Sequence, residues 1–222
     1  MLYEEQTPFR RTPGLMTWVF WVVVTALGGI GGTFLLSFVY NANTSLNGLL
    51  IWCYLASPLF FVALGQWLLL RRFIAQSGWW LLTSVLGFFF VYPYLLIYSF
   101  SALLTSGQSL IFGTQEFWSV SLCLALMSLI FGSLVGLLQG ILVIRRWGAV
   151  PRRLLWWVIG SAIAWGVGYP AGEQFLASLL WHGSTPFTQA TIWLVVGTTW
   201  GIIGAITGVV LIWVGRARAK VW

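Results

Sequence analysis

The sequence predicts an all-α protein, a polytopic transmembrane bundle of six helices. Three observations lead to this prediction. Of the 222 residues, 59% are hydrophobic and only 7% are charged, whereas a soluble domain carries about 25% charged residues to cover its surface. The apolar residues fall into six stretches, each close to the roughly 20 residues that a spanning helix needs. The basic residues all lie between or beyond these stretches.

The six stretches follow one another with short polar connections. Their hydrophobicity is continuous rather than alternating, which favours helices over the strands of a barrel, and a helix satisfies its own backbone polar groups in lipid. Residues 1–14 form a polar tail and residues 215–222 a basic one, around a transmembrane domain of residues 15–214. The predicted spans are Leu15–Tyr40, Leu49–Leu70, Trp79–Leu104, Phe117–Ile144, Leu154–Ala171 and Thr191–Val214.

The fifth span has a distinct outer end. Pro170 and Gly172 are expected to end its helix, because both residues interrupt helical hydrogen bonding or favour a helix end. The apolar segment Phe175–Trp181 that follows is too short to span and is expected to lie in the membrane interface.

The charges set the orientation. The net charge is +7, and with six spans all eleven Lys and Arg residues fall on one side. Basic short loops stay in the cytoplasm, so both termini are predicted to be cytoplasmic. The opposite side receives Glu116, Glu173 and His182.

The chain also repeats itself. Residues 65–72 close span two with Gly-Gln-Trp-Leu-Leu-Leu-Arg-Arg, and a Trp-Trp pair opens span three. Residues 136–146 close span four in the same way, with one extra residue between Gln139 and Arg145, and a second Trp-Trp pair opens span five. A weaker copy, residues 204–216, closes span six. These copies predict three parallel hairpins, about 15–72, 79–146 and 154–216.

This Gly…Gln-Trp-x-x-Leu-Arg-Arg…Trp-Trp pattern resembles that of small, poorly characterised bacterial membrane proteins that are frequent in photosynthetic bacteria. The similarity is good over residues 65–80 and moderate over 136–157. The resemblance implies a multi-pass protein of a bacterial inner or thylakoid-type membrane, and it brings no known reaction.

Two amides, Gln66 and Gln139, are the polar candidates inside the spans. They precede their arginines by five and six residues, which at 1.5 Å per residue places them roughly 7–9 Å inside the basic clusters. A buried amide must find a partner. That partner is either a neighbouring helix or a lipid headgroup, pigment or solute.

The arginine clusters have two interpretations. They anchor the topology by reaching the interface, or they bind anionic headgroups or an acidic partner loop. The candidates for this lipid- or partner-binding role are Arg71, Arg72, Arg145, Arg146, Arg152 and Arg153.

The outer side offers Glu173, Trp181 and His182 as candidates. With a single histidine, a metal site is not expected, because structural zinc takes four ligands and catalytic zinc three. The chain has no Asp, no phosphate-binding loop and no catalytic Ser–His arrangement. We therefore predict that the protein is not an enzyme.

Two functions remain. The first is a non-catalytic scaffold, an accessory or assembly subunit of a larger and, by the resemblance, photosynthetic membrane complex, contacting lipid, carotenoid or chlorophyll. The alternative is a small-solute binding or transport protein, similar to the substrate-capturing subunits of energy-coupling-factor transporters. Its outer pocket would use Trp118, Trp181, Trp193, Glu173 and His182.

Overall fold

The structure is a computed structural model that describes residues 14–41, 57–73, 77–87, 115–144, 151–181 and 189–216. Within these ranges the chain forms helices and no strand, which confirms the predicted all-α class. A π-helical turn, Gly140–Ile144, follows directly on α4. The helices are α1 Leu15–Asn41, α2 Ser57–Leu70, α3 over 78–87, α4 Gln115–Gln139, α5 Pro151–Trp181 and α6 Gln189–Arg216.

Four of the described helices are long and apolar enough to cross a membrane, by length and composition. The chain is therefore an α-helical membrane protein. The shorter apolar helix α2 has 14 described residues, and the remainder of predicted spans two and three lies outside the described residues. The four spanning segments are Leu15–Leu35, Leu122–Leu142, Pro151–Gly172 and Ala190–Gly215.

The fifth helix is longer than the sequence predicts. The helix α5 continues through Pro170 to Trp181, so the expectation that Pro170 and Gly172 end it is wrong. A proline leaves one helical carbonyl without its donor, but apolar membrane helices tolerate this loss where neighbours support the backbone. Around this proline α5 lies close against α6: a Cβ on Gly168 would lie 2.5 Å from Ile203, and one on Gly172 would clash with Thr199.

The π-helical turn explains the extra residue between Gln139 and Arg145. A π-turn holds one more residue than an α-turn and commonly marks a single insertion in a helix. The turn begins at Gly140, the residue after Gln139. The extra residue is thus accommodated after α4, and the α-helical spacing of the residues before Gly140 is unchanged.

The helices contact one another in chain order and close into a ring. The helix α1 packs against α2 and α6, and α5 packs against α4 and α6. The helix α3 connects the two halves, because Trp80 bonds to Gln66 of α2 and Ser84 bonds to Gln139 of α4.

Glycines allow the closest of these approaches. A Cβ on Gly28 would lie 2.7 Å from the backbone N and Cα of Val62, and Gly32 faces the backbone of Pro58 in the same way. Small residues four apart let membrane helices come close enough for dispersion to hold them together. The helices α1 and α2 are therefore closely packed at these two positions.

The buried apolar residues form two clusters. One cluster, built around Phe131, Trp165 and Trp200, draws on α2, α4, α5 and α6. The other surrounds Trp21, Trp80 and Trp157 and includes Leu69 and Leu70 at the arginine end of α2. The amides Gln66 and Gln139 line a cavity together with residues of both clusters.

We expect Gly28→Ala to destabilise the protein, because a methyl group at this position meets the α2 backbone and overpacking costs about 1–3 kcal/mol. Thermal unfolding in detergent measures the effect. The matched control is Gly31→Ala in the same helix, where a Cβ meets nothing within 4 Å. Equal losses in the two variants would contradict the close α1–α2 contact.

Candidate functional site

The helices α1, α3 and α5 each carry two adjacent aromatic residues, of which the first is exposed and the second is buried. The first members are exposed: Phe20, Trp79 and Trp156. The second members are fully buried, with at most 1% of the side chain accessible: Trp21, Trp80 and Trp157. The inner tryptophans of α1, α3 and α5 thus occupy equivalent positions.

Each inner tryptophan is followed four residues later by a buried hydroxyl residue. Residues four apart share one face of a helix, so the hydroxyl lies beside the indole ring. The hydroxyl residues are Thr25, Ser84 and Ser161.

The other three helices bring a polar side chain to the same level. These residues are also buried, and each follows an aliphatic residue, Val62, Val135 or Ile203, by four positions. They are Gln66 in α2, Gln139 in α4 and Thr207 in α6. We call these nine residues, the three tryptophans, three hydroxyl residues and three polar partners, the central polar cluster.

Gln66 connects three helices through both ends of its amide. Its Nε2 donates to Thr25 Oγ1 of α1 at 3.0 Å. Its Oε1 accepts from Trp80 Nε1 of α3 at 3.2 Å. Both ends of the amide therefore have the hydrogen-bond partner that a buried polar group requires.

The contact between α6 and α1 is similar. Trp21 Nε1 donates to Thr207 Oγ1 at 3.0 Å, and Thr207 Oγ1 donates to the Ile203 carbonyl at 2.8 Å. Thr25 Oγ1 donates to the Trp21 carbonyl. The cluster is thus fully bonded on both sides of α1.

The contact between α4 and α5 differs. Gln139 Nε2 donates to Ser84 Oγ at 2.8 Å, so this amide is anchored on α3. On the α5 side, neither Trp157 Nε1 nor Ser161 Oγ has a hydrogen-bond partner, although both atoms are buried. The hydrogen bonding of the cluster is therefore incomplete on the α5 side.

A small cavity lies inside the cluster. It offers about 30 Å³ of space to water-sized molecules, and all six helices contribute to its wall. No lining residue is ionisable, so the cavity can form hydrogen bonds but cannot serve acid–base chemistry. The lining residues are Trp21, Val62, Gln66, Trp80, Val135, Gln139, Trp157, Ser161, Trp165, Trp200, Ile203 and Thr207.

Edge-to-face ring contacts fix the wall of this cavity. The Trp80 ring centroid lies 5.6 Å from that of Trp21 and 5.3 Å from that of Trp157. In the neighbouring apolar cluster, Trp165 lies 5.3 Å from Trp200 and 4.4 Å from Phe131. Such pairs contribute about 0.5–1.5 kcal/mol beyond their buried area.

Of the predicted candidates whose side chains the structure describes, the two amides Gln66 and Gln139 lie in this site. Arg71 and Arg72 are exposed at the end of α2, and the Arg71 guanidinium carbon lies 5.7 Å from the ring centroid of Trp67. Arg152 is exposed and Arg153 half-buried at the start of α5. Arg145 and Arg146 lie outside the described residues.

Among the predicted outer candidates, Trp193 is the residue whose side chain the structure describes. The backbone of Glu173 and Trp181 belongs to the last turns of α5, their side chains and that of Trp118 are not described, and His182 lies outside the described residues. Trp193 packs against Phe34, with ring centroids 6.1 Å apart. Within the described part of the chain, no three potential metal ligands lie together.

The sequence contains a further signal for the cluster. The two Trp-Trp pairs belong to the repeat, whereas Trp21 and the hydroxyl residues Thr25, Ser84, Ser161 and Thr207 are not among the predicted candidates. An aromatic pair followed four residues later by Thr or Ser occurs in α1, α3 and α5. That spacing identifies one polar helix face in each of these helices.

No protein-family model, curated protein or solved structure matches this chain. The function is therefore inferred from the geometry of the site.

We expect Gln66→Leu to lower the free energy of unfolding by about 1–3 kcal/mol, because it leaves the buried Trp80 indole N–H without an acceptor. Trp80→Phe removes that donor. The double variant should lose less than the sum of the two single losses, measured by unfolding in detergent. Strictly additive losses would contradict the Gln66–Trp80 bond.

Proposed function

We propose that this protein is a non-catalytic integral membrane subunit, an accessory or assembly component of a larger membrane complex. Its six helices would form three successive hairpins around the central polar cluster, with both termini in the cytoplasm. In this proposal the centre of the protein holds the bundle together, and the outer surface contacts lipid, pigment or a partner.

The neutral, nearly filled centre is the observation that carries the proposal. A binding pocket for a drug-sized molecule encloses about 300–1,000 Å³, whereas this cavity offers about 30 Å³. Its polar side chains are largely bonded to one another. A centre of this kind supports a rigid scaffold better than a solute-binding or transport protein.

The outer surface supports the same role. Trp156 and Trp213 are both exposed and pack edge-to-face with ring centroids 5.8 Å apart. Trp79 is exposed as well. Exposed aromatic rings of this kind suit the membrane interface, and they would also pack against carotenoid or chlorophyll rings or a partner helix.

The recurring cluster supports the three-hairpin arrangement. Each proposed hairpin contributes one inner tryptophan, one hydroxyl residue and one polar partner to the same level of the bundle. Parallel hairpins related by an axis along the membrane normal would place these residues at one depth. Basic residues at the ends of α2 and α6 and at the start of α5 would then share the cytoplasmic side.

A partner should co-purify with the tagged full-length chain in a mild detergent, because a subunit of a complex retains its neighbours there. Size-exclusion chromatography with mass spectrometry of the bound chains and pigments measures this. Recovery as a pigment-free monomer, together with a raised unfolding temperature on adding a small solute, would contradict the scaffold and favour the transport alternative.

The topology can be tested with single cysteines in a Cys53→Ala, Cys123→Ala background. Cysteines at Gln76 and Gly148 should resist a membrane-impermeant maleimide in intact cells, since the proposal puts them in the cytoplasm. Cysteines at Asn43 and Gly183 should react. Labelling of all four in lysed membranes controls for accessibility, and reaction at Gln76 in intact cells would contradict six spans.

A further inference from the structure

The central cavity contains two hydrogen-bonding groups that no protein atom uses. Trp157 is 1% exposed and Ser161 is 3% exposed. Their polar atoms, Nε1 and Oγ, have no partner, and both residues line the cavity. A buried donor left unpaired carries the full penalty of its lost hydration, so this pair calls for a ligand.

The equivalent pair in α1 shows what is missing. Trp21 Nε1 donates to Thr207, and Thr25 Oγ1 donates to the Trp21 carbonyl and accepts from Gln66. Ser161 lacks even the bond to the carbonyl four residues before it. The unmet groups are therefore a property of the α4–α5 contact and not of the Trp–hydroxyl pairing itself.

The size of the cavity restricts the ligand. A water molecule needs roughly 10–15 Å³ of such space, while an aromatic ligand such as benzene occupies a cavity of about 150 Å³. The 30 Å³ observed here accommodates one or two water molecules and nothing as large as a pigment.

The side chains that line the cavity restrict the chemical class of the ligand further. A bound cation would need a carboxylate to balance its charge, and a bound anion would need a cationic partner, because an unpaired charge is costly in this low-dielectric setting. The lining offers neither a carboxylate nor a cation. A neutral molecule that both accepts and donates hydrogen bonds fits the indole N–H, the hydroxyl and the neighbouring amides.

We propose that the central cavity is a binding site for one or two water molecules, which accept from Trp157 Nε1 and bridge it to Ser161 Oγ and to the polar lining residues such as Gln139. Buried water of this kind makes about three hydrogen bonds to groups that lack other partners. The water completes the α4–α5 contact as Gln66 completes the α2–α3 contact. This inference does not depend on the proposed subunit role.

The sign of a stability change tests the proposal. Ser161→Ala should lower the unfolding temperature by a few degrees relative to the control Ser133→Ala, because it removes a partner of the bound water. Ser133 lies in α4, and its hydroxyl donates to the Leu129 carbonyl of its own helix. An unchanged or higher unfolding temperature for Ser161→Ala, relative to that control, would show a dry cavity and overturn the proposal.

Nuclear magnetic resonance of the full chain with ¹⁵N-labelled tryptophan tests it independently of stability. The Trp157 indole signal is assigned by its loss in Trp157→Phe. It should show a cross-peak to water in the unmodified protein and lose that cross-peak in Ser161→Leu, whose larger side chain fills the cavity. Absence of the cross-peak in the unmodified protein would overturn the proposal, whether or not Ser161→Leu folds.

Discussion

The Gln66 amide is the interaction on which the centre of the bundle depends. Its nitrogen bonds to Thr25 of α1 and its oxygen accepts from Trp80 of α3, so one side chain joins three helices. Lipid offers no hydrogen bonds to buried polar groups. The amide is therefore satisfied only when the three helices hold the arrangement seen here, and a shift of one helix by a turn leaves several groups unpaired.

Shape and hydrogen bonding act together in this arrangement. Membrane helices gain no hydrophobic energy by leaving lipid for each other, so close packing has to hold them. Gly28 and Gly32 bring the α1 backbone against α2. Gly204 leaves space for Thr25, and Gly208 leaves space for Trp21. These glycines of α6 thus allow the polar residues of α1 to pack against α6.

The sequence predicts the helices, their order and the two amides, because hydrophobicity and charge are local properties of the chain. The continuation of α5 past Pro170 could not be predicted in this way, and the close packing of Gly168 and Gly172 against α6 is a tertiary contact that local patterns do not show. The burial of the inner tryptophans could not be predicted from local patterns either. Each one taken singly is typical of the membrane interface, and only the tertiary arrangement separates buried Trp157 from exposed Trp156. The unpaired state of Trp157 depends on contacts between two helices that no local pattern encodes.

The neutral lining of the cavity has an electrical consequence. Moving one elementary charge through a membrane potential of 100 mV changes the free energy by about 2.3 kcal/mol. The twelve residues around the cavity are apolar, amide or hydroxyl side chains, so small displacements of the helices that carry them move no formal charge through the field. The residues that line the cavity therefore give the membrane potential no formal charge to act on.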